Sequence, residues 1–281
     1  MAFRTRRRVV GREPAGRDAA EAGVAAGRPG GDCYDRPVPD RGRWRVGERP
    51  YVLLSCAMSV DGYIDDNTPH RLLLSNDEDF DRVDAVRATC DAILVGAGTV
   101  RRDDPRLLVR SPERGRERAA RGLPPSPAKV TLTSTGDLDP DAAFFTAGDA
   151  ERIVYAAPGA VAKLAARLGG AAEVVAAGGP EGPGDGGDDG GGVDLGRVLS
   201  DLYGRGVRRL MVEGGTSVHT RFLREDLVDE LHLVVAPFFV GDPAAPRFVL
   251  GGDFPRDRRR RMELAEARMM GDVTLLRYLL S

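Results

Sequence analysis

Between residues 51 and 240 short apolar runs alternate with segments of helical spacing, and this alternation restricts the fold more than any other feature of the chain. The runs at 51–57 (YVLLSCA), 92–95, 129–133 (KVTLT), 152–156 (RIVYA), 173–177, 208–212 and 230–240 (ELHLVVAPFFV) have the length and composition of strands. After the first of them, Ser75 and Asn76 offer helix N-caps, and Asp77, Glu78 and Asp79 suit the positive end of a helix dipole. Phe80, Val83, Val86, Arg87 and Cys90 then recur at helical spacing. Residues 161–168, 193–203 and a stretch from Thr216 or Ser217 to about Arg224 read as further helices. Strands alternating with helices predict an α/β fold with a mostly parallel central sheet, covered by helices on both faces. The C-terminal MELAEARMMGDVTLLRYLL reads as a hairpin turning at Gly271-Asp272, which adds antiparallel strands at one edge.

Two segments fall outside this pattern. Residues 1–49 hold twelve arginines against seven acidic residues, a net of +5 in a chain whose total is −2. No apolar stretch follows the opening RTRRRVV, so it is not read as a secretion signal. Residues 1–48 are expected to form a solvated, disordered basic tail, and 49–281 the folded domain. Within that domain, 178–192 contains nine glycines in fifteen positions and is expected to be a flexible insertion.

The near-neutral total argues against nucleic acid as a main partner, and no run reaches the roughly 18 apolar residues of a membrane span. Cys33, Cys56 and Cys90 have neither metal-ligand spacing nor an even count. Cys56 and Cys90 read as small core residues, and the expected compartment is the cytoplasm. His70, His219 and His232 are too scattered for a metal site or a catalytic triad. His232, within an apolar strand, reads as a satisfied structural residue.

Ligands of an open α/β sheet bind at the carboxyl ends of its strands. Here those ends carry Met58-Ser59-Val60-Asp61-Gly62, Gly96-Ala97-Gly98-Thr99, Ser134, and Glu213-Gly214-Gly215-Thr216-Ser217. Glycines let a backbone approach a phosphate, and amides opening a helix suit an anion. The set is appropriate for a dinucleotide, although GAGTVR lacks the third glycine of a Rossmann fingerprint. Asp61 before Gly62 reads as a turn residue. Glu213 closes a buried strand, where an unpaired carboxylate is costly.

In this order, AMSVDG (57–62), DAILVGAGTVRRDDPRLLVR (91–110), Ser134 and VEGGTSVHTRFLREDLVDELHLVVAPFFVG (212–241) resemble the RibD C-terminal reductase domain. That family consists of NADPH-dependent reductases of riboflavin biosynthesis with a dihydrofolate reductase-like fold. The resemblance implies hydride transfer to C1′ of a ribosylaminopyrimidine 5′-phosphate, either the aminouracil or its diaminopyrimidinone counterpart, and a homodimer. It implies cofactor contacts at Ala57, Leu72, Gly96, Gly98, Thr99, Asp103 and Ser134, and along the turn Gly215, Thr216, Ser217, Val218, His219, Thr220 and Arg221. The implied substrate contacts are His70, Arg87, Leu107, Arg110 and Glu213, with the two arginines suited to a phosphate. No residue is assigned as proton donor.

Two departures bear on substrate. The H-x-E and P-C-x-x-C signature of the zinc deaminase fused to some relatives is missing, so a stand-alone reductase is expected. The family's polar and tryptophan step before the first helix is replaced by Pro69-His70-Arg71-Leu72-Leu73-Leu74-Ser75. An alternative is therefore a reductase of the same fold acting on a pterin-like or specialised C=N metabolite.

Overall fold

Val52, Leu53 and Leu54 are wholly buried in β1 (Tyr51–Ser59), as a strand with apolar side chains on both faces requires. In the computed structural model, which describes residues 48–68, 70–179 and 192–280, β1 sits near the middle of a nine-stranded sheet. After it come α1 (Asp77–Ala88), β2 (Ala92–Gly96), α2 (Ala97–Asp103), α3 (Pro112–Ala120), β3 (Ala128–Thr133), α4 (Ala143–Thr146), β4 (Arg152–Ala156) and α5 (Pro158–Leu168). The remainder is β5 (Glu173–Ala176), α6 (Leu195–Gly204), β6 (Arg209–Gly214), α7 (Thr216–Arg224), β7 (Glu230–Ala236), β8 (Glu263–Met270) and β9 (Val273–Leu279).

The strands lie in the order β5-β4-β3-β2-β6-β1-β7-β9-β8. Every pairing from β5 to β7 is parallel, whereas β9 runs antiparallel to both β7 and β8. Apolar residues of α1, α2 and α5, among them Val86, Val100 and Leu164, pack on one face. Val198, Leu202, Val218 and Phe222, from α6 and α7, pack on the other. The sheet is thus covered on both sides, and the expected α/β class is what the chain adopts.

Local chemistry sets the element ends. Asn76 caps α1 by accepting from the Asp79 amide, and the acidic first turn follows it. Asp194 caps α6, so the helix expected over 193–203 opens two residues later. The strand expected over 230–240 stops at Ala236, before Pro237, which has no amide to donate. Gly271 makes the β8–β9 turn with φ +58.

Three helices were not anticipated, α2, α3 and the four-residue α4. The glycine-rich run after β2 is not a loop, because Gly96 is an N-cap and α2 begins at Ala97. Five of the nine residues of α3 are charged; Ser111 caps it and Pro112 opens it, and its buried Arg118 donates to the carbonyls of Ala88, Cys90 and Pro124. Cys56 and Cys90 are buried thiols. The basic tail, Cys33, Pro69 and most of the glycine-rich insertion lie outside the described residues. Among those described, no helix is long and apolar enough to cross a membrane.

Candidate active site

Because β1, β2 and β6 are adjacent and parallel, their carboxyl ends open on one edge, where a crevice of about 720 Å³ lies. β6 was inserted between β2 and β1, so Glu213 at its end stands between the 57–59 end of β1 and the start of α2.

The turn leaving β6 requires glycine at Gly214 and leaves little room at Gly215. Gly214 has φ +116, and a Cβ there would meet the His219 ring at 3.0 Å. A Cβ on Gly215 would lie 3.2 Å from Thr99 Oγ1. The β6–α7 turn and the start of α2 are thereby in close contact. Gly215 caps α7 with no side-chain hydrogen bond, so the first-turn amides and the positive end of the dipole are left for an anion. His219 is buried against this turn and tilted against Phe248, and neither ring nitrogen has a hydrogen-bond partner among the described residues. Burial pushes its imidazole down to about 4, so it is neutral near pH 7. A tight glycine turn, a hydroxyl at Thr99 and an open helix start fit the pyrophosphate of a dinucleotide.

Opposite this turn, Arg87 from the last turn of α1 grips Glu213 with both ends of its guanidinium, Nε to Oε1 at 2.7 Å and Nη2 to Oε2 at 2.6 Å. Both side chains are largely buried, at 12% and 14% exposure. Burial alone lowers the affinity of Arg87 for its proton, and the Glu213 charge more than offsets this. A third contact runs from Arg87 Nη1 to the Leu108 carbonyl at 3.2 Å. The loop after α2 is held by Asp84, whose carboxylate accepts from the amides of Arg110 and Ser111. Arg110 itself stays exposed, its guanidinium 5.3 Å from the Phe80 ring centre. Among the described residues it has no carboxylate partner.

The crevice gathers many of the expected residues: Ala57, Leu72, Gly98, Thr99, Asp103, Gly215, Thr216 and His219, together with Arg87, Arg110 and Glu213. Others lie apart from its walls. Leu107, with φ +47, buries its side chain in the core beneath α1 and α2 rather than facing a ligand. Val218 packs into the opposite core, and the Thr220 hydroxyl donates to the Thr216 carbonyl. Arg221 donates to the Val193 carbonyl, and His70 is exposed. Gly96, Ser134 and Ser217 also stand off the walls, Gly96 as the cap of α2 and Ser134 just past β3.

Sequence reading missed a polar group on the floor, formed by Ser55, Asp79 and Arg82. Asp79 and Arg82 pair at 2.7 Å on one face of α1. Their i, i+3 spacing was visible, but Asp79 had been read as a dipole acid only. Among the described residues no group of three metal-ligating side chains comes together.

The profile of one family, the RibD C-terminal domain, matches residues 50–276. A 2,5-diamino-6-ribosylamino-4(3H)-pyrimidinone 5′-phosphate reductase of Archaeoglobus fulgidus is 35% identical over 206 residues, covering 73% of this chain and 89% of that protein. The protein of the same name from Methanothermobacter thermautotrophicus is also 35% identical, over 82% of this chain and 98% of its own. Among solved structures, the bifunctional deaminase/5-amino-6-(5-phosphoribosylamino)uracil reductase of Thermotoga maritima superposes with a TM-score of 0.64 at 23% identity. That match covers 84% of this chain but 58% of the Thermotoga chain, so it spans little more than half of that protein. The riboflavin biosynthesis reductase of Saccharomyces cerevisiae gives a TM-score of 0.58 at 20% identity, over 83% of this chain and 90% of the yeast one. At these identities the structural matches speak for the fold alone.

Proposed function

The chain belongs to the RibD C-terminal domain family, and from that premise we propose that it is the oxidoreductase that reduces 2,5-diamino-6-ribosylamino-4(3H)-pyrimidinone 5′-phosphate, with NADPH as the reductant. The observation that carries this reading is the crevice itself. A glycine turn and an open helix start, fitted to a pyrophosphate, face an Arg87–Glu213 pair and the exposed Arg110.

Thr99, Gly215 and the first-turn amides of α7 would hold the coenzyme, which when bound would supply a hydride for C1′, with a proton going to the released ring oxygen. The chain binds and orients. Arg110, free of carboxylate partners among the described residues, grips the substrate phosphate. Arg87 holds both oxygens of Glu213, and the remaining lone pairs of that carboxylate accept from a ribose hydroxyl. This fixes the sugar relative to the turn at Gly215, and such positioning removes much of the entropic part of a barrier. Leu72, Leu74 and Val234 give the crevice an apolar wall that keeps water from the reacting carbon.

Purified protein given NADPH and either the diaminopyrimidinone or the aminouracil substrate should oxidise NADPH and form the ribitylamino product. No oxidation with either ring would refute the assignment. NADH in parallel tests the coenzyme. The reading includes a homodimer, supported by the edge strand β8 with Met269 80% and Leu264 53% exposed. Sedimentation equilibrium checks that part.

A further inference from the structure

Lys129 lies on β3, wholly buried, where an ammonium is costly unless its hydrogen bonds are met. In the sheet it is in register with Ile93 of β2 and Arg152 of β4, neither of them an acid. Its partners come instead from α4 and the residue that ends it. Nζ donates to the carbonyls of Phe144 at 2.9 Å and Ala147 at 2.7 Å, with that of Ala143 at 3.5 Å. The Phe144 ring centre is 5.8 Å from the same nitrogen. Burial, and then the Arg152 charge, lower the ammonium to about 8, so it is still mostly charged near pH 7. One nitrogen that must meet three carbonyls permits one placement of α4. An apolar side chain filling the same space would not dictate it.

What depends on that placement is the loop that ends at Arg110. With four residues, α4 is too short to hold its place by its own hydrogen bonds, and its N-cap, Ala142, makes no side-chain bond. Asp104 supplies the acceptor instead, taking the Ala143 amide at 2.6 Å. Asp104 is also the left-handed C-cap of α2, with φ +41, and it opens the 104–110 loop. Further along, Leu107 packs in the same core cluster as Phe144 and Phe145. Gly148, just past α4, lies so close to Leu108 that a Cβ there would stand 2.9 Å from Leu108 Cδ2. Residues 104–108 thus rest on α4 and its flank at three places, while Asp84 holds 110–111 from α1. Arg110 has no carboxylate partner among the described residues, so the loop that carries it sets where its guanidinium can reach.

We propose that Lys129 is a positioning residue for the substrate phosphate: through α4 and Asp104 it fixes the 104–110 loop, and with it the place from which Arg110 grips. This rests on the reading above, in which Arg110 takes the phosphate. The phosphate is remote from C1′ and is held alike before and during hydride transfer. Loosening the grip therefore raises the KM of the substrate and leaves kcat nearly unchanged.

Steady-state NADPH oxidation by the wild type, Lys129→Met and Asp104→Gly, each also combined with Arg110→Ala, tests the clamp. Lys129→Met should raise the substrate KM about five-fold or more and Asp104→Gly about three-fold or more. The kcat and the KM for NADPH should stay within two-fold in both. In the Arg110→Ala background the same two changes should alter the substrate KM by less than two-fold, because the group they position is gone. Glycine keeps the left-handed backbone at the exposed position 104, so the test stays usable if Lys129→Met does not fold. An unaltered substrate KM in Asp104→Gly and in any folded Lys129→Met, with the wild type active, overturns the clamp alone. An equal rise with and without Arg110 also overturns it, since that marks a general structural role. Wild-type protein that oxidises no NADPH with either substrate refutes the functional reading, and the clamp with it.

Discussion

Replacing Glu213 with glutamine keeps the shape of the side chain and removes its charge, which isolates the function of the Arg87–Glu213 pair. The pair makes two charge-assisted hydrogen bonds, at 2.7 and 2.6 Å, with little solvent around either partner. Leaving one half of a fully buried pair unmatched costs about 3–5 kcal/mol. Two features reduce this. The side chains keep 12% and 14% exposure, so water screens part of the orphaned charge, and glutamine still accepts one bond from Arg87. A loss of about 2 kcal/mol is the expected result, in line with roughly 1.5–3 kcal/mol for a hydrogen bond to a charged group. For a domain of this size that lowers Tm by roughly 4–8 °C.

A double-mutant cycle with Arg87→Gln separates the pair from its surroundings. The coupling between the two substitutions should be about 1–3 kcal/mol, as for residues in direct contact. In the enzyme assay Glu213→Gln should lower kcat/KM about 100-fold, close to 2.7 kcal/mol of transition-state stabilisation. Thermal unfolding followed by circular dichroism measures the first quantity and steady-state NADPH oxidation the last. Coupling within about 0.3 kcal/mol of zero would refute the pairing. Strong coupling with unaltered activity would instead remove the pair from the catalytic crevice.

Other substitutions probe separate parts of the site. Arg110→Ala should raise KM for the phosphorylated substrate about 10- to 100-fold, while stability changes by no more than about 0.5 kcal/mol, because the side chain is exposed and its loop is held by Asp84 through backbone amides. Gly214→Ala should destabilise the fold by more than about 1 kcal/mol and abolish NADP⁺ binding, since the φ of +116 and the His219 ring 3.0 Å away both oppose a Cβ; denaturant titration and calorimetry measure the two effects. His219 has a folded pKa near 4 against an ordinary 6.5, so the unfolded chain binds its proton first as pH falls. Its contribution is therefore present above pH 6.5 and is lost on acidification, by about 3 kcal/mol between pH 6.5 and 4. His219→Leu should flatten the stability profile in that window, and an unaltered slope would show that His219 is not what titrates.

The strands, and most of their ends, were legible because each depends on a few neighbouring residues. A run such as YVLLSCA needs burial on both sides, and Gly214-Gly215 after VE announces a tight turn whose first position favours glycine. α3 was not legible for the opposite reason. Its sequence PERGRERAA has almost no apolar face, and what fixes it is the Ser111 cap and the buried Arg118 reaching three carbonyls of other segments. Likewise, VGAGT contains too few residues to declare that Gly96 caps a seven-residue helix with Gly98 inside it, rather than both forming a loop.

The site was harder to read than the fold, and the strand order explains why. Placing β6 between β2 and β1 brings Glu213 onto Arg87, 126 positions earlier, and Gly215 against Thr99. Placing β7 on the far side of β1 puts His232 under Arg82, 150 positions away. In the linear chain each partner has an ordinary local explanation: Arg87 as a favourable charge at a helix C-terminus, Asp79 as one at an N-terminus, His232 as a polar residue within a strand. None of these local explanations is incorrect, and none distinguishes a functional residue from a structural one. The difference appears only when two such residues are brought together with burial that neither tolerates alone. A substitution that preserves every local pattern, Arg82→Lys on α1 for instance, should therefore leave the fold intact, because lysine is as good a helix former. It should still lower kcat/KM, because Arg82 lines the crevice and a single ammonium cannot bond Asp79 and His232 with the rigid planar geometry of a guanidinium.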